Sequence, residues 1–113
     1  NALKNLDIIT VLEHLEQFIL KNGWEEKYRD VLEYLYLDHI LITSINRVQR
    51  QTAPEKKDVL RKMRQVIKEK YPDFRHSKVF CEIPRNRQIV AILNGAGLSV
   101  LSKILVDLKS KVK

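Results

Sequence analysis

Helical periodicity fills most of the chain, broken by short polar or Gly/Pro stretches, and no segment carries the strict alternation of a half-buried strand. Over Leu3 to Lys21, the residues Leu12, Leu15 and Ile19, with Val11 and Phe18, fall at the i, i+3, i+4, i+7 spacing of a core-facing helix. Asn22-Gly23 ends it, because glycine accepts the left-handed conformation of a helix C-cap at little cost. A second helix is predicted from Trp24 to Arg50, with Trp24, Tyr28, Val31, Leu35, Ile42 and Ile45 keeping one face apolar. From Tyr34 to Ile42 only Asp38 and His39 are polar, so this helix is expected to be covered on more than one side and to form the centre of the fold.

Thr52-Ala53-Pro54-Glu55 reads as a helix start: Thr52 caps, Glu55 closes a capping box, and Pro54 sits in the first turn, where its missing N–H is harmless. The third helix then spans Ala53 to Lys70 and buries Val59, Leu60, Met63, Val66 and Ile67. Pro72 cannot continue it, and Tyr71 before a proline is biased away from helical geometry. Residues 72–84 form a connector pinned to the core by Phe74, Val79 and Phe80. Pro84 opens a short helix from Arg85 to Leu93, Asn94-Gly95-Ala96-Gly97 breaks it, and a last helix runs from Leu98 to Lys111. The expected fold is all-α, a bundle of four to five helices with no sheet. It forms a single domain over residues 3–113, and Asn1-Ala2 reads as the remnant of a cleaved tag.

Composition adds constraints to this frame. A chain of 113 residues supplies a real but modest core. The single cysteine, Cys81, excludes an internal disulfide and a Cys-based zinc site, and between Phe80 and Glu82 it reads as a buried structural thiol. No apolar run approaches the roughly 20 residues of a membrane-spanning helix, and no signal-peptide pattern opens the chain, which reads as cytoplasmic. The net charge of +7 is unevenly spread: residues 1–46 carry −4, residues 47–71 carry +6 and residues 72–113 carry +5. An acidic first part against a basic remainder can orient a protein on an anionic surface.

Candidate chemistry is sparse. His14, His39 and His76 lie on different elements and match no metal-binding spacing. Asn94–Gly97 lacks the full Gly-x-Gly-x-x-Gly pattern, the downstream lysine and the preceding strand of a nucleotide site, so it reads as a turn between helices. No catalytic, cofactor-binding or metal-binding residue is assigned. Arg47, Arg50, Lys56, Lys57, Arg61, Lys62, Arg64 and Lys68 have the chemistry to meet phosphates. Acidic residues among them, and the lack of interleaved aromatics, disfavour nucleic acid as their partner. In the last helix Leu98, Leu101, Leu105, Leu108 and Val112 repeat at spacings of 3, 4, 3 and 4, beside Lys103, Lys109 and Lys111. That pattern suits a core-facing helix, a seam with a partner, or an interfacial helix on anionic lipid.

Four segments in order resemble the helical region that follows the catalytic domain of bacterial family 2 glycosyltransferases of the capsular and exopolysaccharide kind. They are Asn22-Gly23-Trp24 with Glu26-Lys27-Tyr28, the stretch from Lys27 to Leu41 containing Leu32-Glu33-Tyr34-Leu35-Tyr36, Tyr71-Pro72-Asp73-Phe74, and Arg85-Asn86-Arg87 leading into Ile89–Leu93. Cys81–Pro84 and Asn94–Gly97 depart from the pattern. The resemblance implies a non-catalytic accessory domain of a parent enzyme that moves sugar from a nucleotide-sugar donor, with a divalent metal, in cell-surface polysaccharide synthesis. The parent's catalytic domain would lie upstream, since no Asp-x-Asp metal motif and no βαβ pattern occur in this sequence. The partners implied are that catalytic domain, with Asp38 and His39 as candidate contacts, a possible homodimer, and an anionic membrane surface at the inner face. For that surface the candidate residues are Leu98, Leu101, Lys103, Leu105, Leu108, Lys109 and Lys111. Two other classes stay open: a stand-alone basic helical module that binds nucleic acid, and a pure oligomerisation domain.

Overall fold

The computed structural model describes residues 2–98 together with Ile104 and Leu108. All regular elements among the described residues are helical, as expected for an all-α fold. A 3-10 turn, Ala2–Leu6, leads into α1, Asp7–Lys21. The second helix, α2, runs unbroken over residues 25–49: it is α-helical over Glu25–Leu35, opens into a π-helix over Tyr36–Ser44, and closes again over Ile45–Gln49. It is followed by α3, Lys56–Lys70, a 3-10 turn at Phe74–His76, the one-turn α4, Lys78–Cys81, and α5, Arg85–Gly95.

The π-helical middle of α2 is the core. Tyr36, Leu37, Ile40, Leu41 and Ile45 are fully buried, and the segment packs against α1, α3 and α5. An i→i+5 ladder is wider than an α-helix, and here it presents apolar side chains to three neighbours at once. Fully burying each such side chain contributes about 1.5–3 kcal/mol. Around it close Ile9, Leu12 and Ile19 of α1, Val59, Leu60, Met63 and Ile67 of α3, and Val90 and Ala91 of α5. The connector expected at residues 72–84 does pin itself inward: Val79 and Phe80 are buried, and Phe74 stacks edge-on to Phe80 with ring centroids 5.5 Å apart. The Gln88 amide reaches back from α5 and donates to the carbonyls of Phe80 and Ile83, at 3.0 and 2.8 Å.

Several expectations are corrected. Val11 and Phe18 are more than half exposed, because α1 turns the Ile9, Leu12, Ile19 face inward and places Glu16 between them. Glu16 is accommodated by the Tyr36 hydroxyl, which donates to Oε1 at 3.1 Å, and by Lys70, whose Nζ lies 2.5 Å from the same oxygen. Trp24 and Val31 also face out. The capping box at Thr52 does not form; α3 starts at Lys56 with no side-chain cap, and the chain is irregular over 51–53, with Thr52 exposed, before a turn at Pro54-Glu55. Cys81 is exposed, because the single turn of α4 spends its inward positions on Val79 and Phe80. Finally, Asn94 and Gly95 belong to α5, and the break comes at Ala96-Gly97. The last predicted helix lies outside the described residues apart from Leu98, Ile104 and Leu108, all three of which are exposed.

Candidate functional site

Seven basic residues line two clefts. The first, about 610 Å³, runs along α3 and is lined by Lys57, Arg61, Arg64 and Lys68, with Tyr71 and Phe74 as aromatic walls. The second, about 670 Å³, opens between the end of α2 and the start of α5 and is lined by Arg47, Arg50 and Arg87 with the amides of Asn46, Gln51 and Asn86. Among the described residues no acidic side chain lines either one. Sequence spacing had grouped most of these cations only as a run; folding divides them between two surfaces.

A buried polar residue connects the clefts. Asn94 is fully buried, and its amide nitrogen donates to Leu41 O at 2.7 Å and to Asn46 Oδ1 at 3.1 Å, so it touches the wall of the second cleft. Its backbone carbonyl accepts from Arg64 Nε at 2.9 Å, which places it behind the first cleft as well. Its own Oδ1 finds no hydrogen-bond partner among the described residues. Arg64 therefore sits as a cation at the C-terminal end of α5, where the helix dipole favours positive charge. Burial pulls its pKa below the usual arginine value. Nothing in the sequence around Asn94 marked it; its partners lie 53 and 48 residues upstream.

The other sequence candidates are dispersed. Asp38 forms an ion pair with Arg87 of α5, so its carboxylate has a partner within the domain. His39 is half-buried on α2, while His14 and His76 are exposed on separate elements. Among the described residues no group of three His, Cys, Asp or Glu side chains converges as metal ligands do. No described helix is long and apolar enough to cross a membrane. Leu98 and Leu108 of the candidate membrane surface are exposed; Leu101, Lys103, Leu105, Lys109 and Lys111 lie outside the described residues.

A third feature lies on the acidic side. Phe18, Trp24 and Tyr28 form a chain of edge-to-face rings with centroids 5.8 and 6.0 Å apart, across the α1–α2 turn. Val11 on α1 and Val31 on α2 extend the same two faces by two helical turns, and both are exposed. Together they make an exposed apolar strip, with Lys27 Nζ 5.2 Å from the Tyr28 ring centroid, of the kind that marks an interaction site. What fold and surfaces define is an all-α domain with an exposed aromatic strip and two basic clefts. Comparison of the chain with protein-family models, curated proteins and solved structures finds no match.

Proposed function

We propose that this chain is the non-catalytic, C-terminal helical domain of a family 2 glycosyltransferase of cell-surface polysaccharide synthesis, and that it holds the catalytic domain through the α1–α2 hairpin. The observation that carries the reading is the aromatic strip. Phe18 and Trp24 are about half exposed, at 55% and 42%, and Trp24 belongs to one of the segments that resemble the family. A tryptophan and a phenylalanine held rigid by each other's rings lose little side-chain freedom on docking, which is why such residues dominate interface energetics. The basic side then meets acceptor or membrane at the inner face, and the parent enzyme supplies donor and metal chemistry elsewhere.

The test has two arms. The native reading frame is expected to encode, upstream of Leu3, a domain with an Asp-x-Asp motif; a frame without one overturns the assignment. In that full-length protein, Phe18→Ser with Trp24→Ser is expected to lower sugar transfer by about tenfold or more, with helicity by circular dichroism unchanged. Unaltered transfer would mean that the strip does not seat the catalytic domain.

A further inference from the structure

The cleft along α3 is built from residues spaced i, i+4, i+7 and i+11: Lys57, Arg61, Arg64 and Lys68. Like charges at these spacings destabilise a helix, so aligning four of them on one face works against α3 itself. Acidic residues on the helix relieve this only at its margin. Asp58 lies 3.6 Å from Arg61 with both side chains at least three-quarters exposed, and Glu69 accepts a hydrogen bond from Gln65. Arg64 is drawn inward to the Asn94 carbonyl and forms the floor, while Lys57, Arg61 and Lys68 are exposed around it.

The dimensions narrow the ligand. From Lys57 to Lys68 the stripe extends about 16 Å along the helix axis, too long for one phosphate and suited to two linked phosphates with a flanking group. Its volume falls among small-molecule sites. On one side Tyr71 and Phe74 supply an aromatic wall, with Phe74 set against Gly95, where an added Cβ would come within 3.3 Å of the ring. An aromatic wall of this kind gives the organic part of a small ligand a face to pack on.

We propose that the α3 cleft binds an organic diphosphate, with the phosphates on Arg61 and Lys68 and the organic part against Tyr71 and Phe74. The inference stands on the cleft alone and does not require the glycosyltransferase reading. A diphosphate of this chemistry comes from a soluble nucleotide or from a lipid-linked headgroup, and the experiment separates the two.

Isothermal titration calorimetry of the chain with uridine diphosphate, farnesyl diphosphate, inorganic pyrophosphate and a short single-stranded oligonucleotide tests it. Saturable binding of one of the organic diphosphates, tighter than that of pyrophosphate, is expected; uridine diphosphate identifies a soluble source and farnesyl diphosphate a lipid one. Arg61→Glu with Lys68→Glu is expected to weaken that binding by about tenfold or more. Lys62→Glu with Lys78→Glu, the same charge change at exposed positions outside the cleft, is expected to leave it within about twofold. Circular dichroism confirms that both variants keep their helicity. An equal loss in the two variants, tighter binding of the oligonucleotide, or no binding of either organic diphosphate would overturn the proposal.

Discussion

Asn94 shows how one side chain secures an irregular helix. The N–H of Ile45, at the end of the π-helical stretch, bonds to the carbonyls of Ile40 and Ile42, which leaves the Leu41 carbonyl between them for another donor. The Asn94 amide supplies it at 2.7 Å. In a site with no solvent access, a carbonyl deprived of its donor costs its full desolvation, about 1–3 kcal/mol. Asn94→Ala is therefore expected to lower stability by about that amount, read as a reduced urea midpoint at unchanged m-value. Asn94→Asp, which replaces the donor by an acceptor facing a carbonyl, is expected to cost more. A change within about 0.5 kcal/mol for alanine would show that the Leu41 carbonyl does not depend on this residue. In the sequence, Asn94-Gly95-Ala96-Gly97 reads as a break, because asparagine and glycine together favour turns. Only the fold reveals that Asn94 faces a helix 53 residues away. The hydroxyls of Tyr36 and Tyr71 were equally hidden. Burial pushes Tyr71 up to about 12, and burial beside Glu16 raises Tyr36 further, so both stay neutral and pack as apolar rings with a polar tip.

At the scale of elements, the end of α1 was legible, whereas its buried face was not. Gly23 has φ of +70°, and the bonds Trp24 N–H to Ile19 O at 3.0 Å and Gly23 N–H to Leu20 O at 3.1 Å complete a Schellman motif, as Asn22-Gly23 foretold. The Phe18–Trp24 ring contact is the apolar contact that accompanies this cap, and it fixes the two rings against each other on the surface. Nothing stands within 4 Å of a Cβ at Gly23, so substitution there measures the backbone alone. Gly23→Ala is expected to destabilise by about 1–2 kcal/mol, and Gly23→Asn by less, since asparagine tolerates the left-handed region. Equal thermal midpoints for alanine and glycine would contradict the cap. Faces were harder to read for a physical reason. On α1 the apolar residues Val11, Leu12, Leu15, Phe18 and Ile19 cover more than one stripe, so periodicity permitted two orientations. The choice fell to Glu16, which only Tyr36 and Lys70 make tolerable inside. In α2 the run from Tyr34 to Ile42 forecast multi-sided burial. It carried no sign of the π-helical ladder, because apolar residues at nearly every position fit either spacing.

Across the whole molecule, charge polarity and shape act together. Among the described residues the helical content followed from periodicity in every long segment, and the acidic-to-basic gradient from the order of charges along the chain. The separation of the cations into two clefts did not, because it depends on how α3 and α5 pack against α2. The proposed meeting with an anionic membrane rests on the basic side and on the apolar repeat of Leu98, Leu101, Leu105 and Leu108 in the sequence. Attraction of this kind is screened over about 8–10 Å at physiological salt, so the expected signature is specific. The chain should sediment with vesicles of anionic lipid at low salt, release at high salt, and ignore zwitterionic vesicles. Reversing Lys103, Lys109 and Lys111 to glutamate should abolish sedimentation if the terminal lysines carry the contact, whereas reversing Lys57 and Lys68 should abolish it if the α3 cleft does. Binding that survives both sets, or that persists in high salt, would point to apolar insertion. Absence of binding under all conditions would return the terminal apolar repeat to the core or to a protein partner.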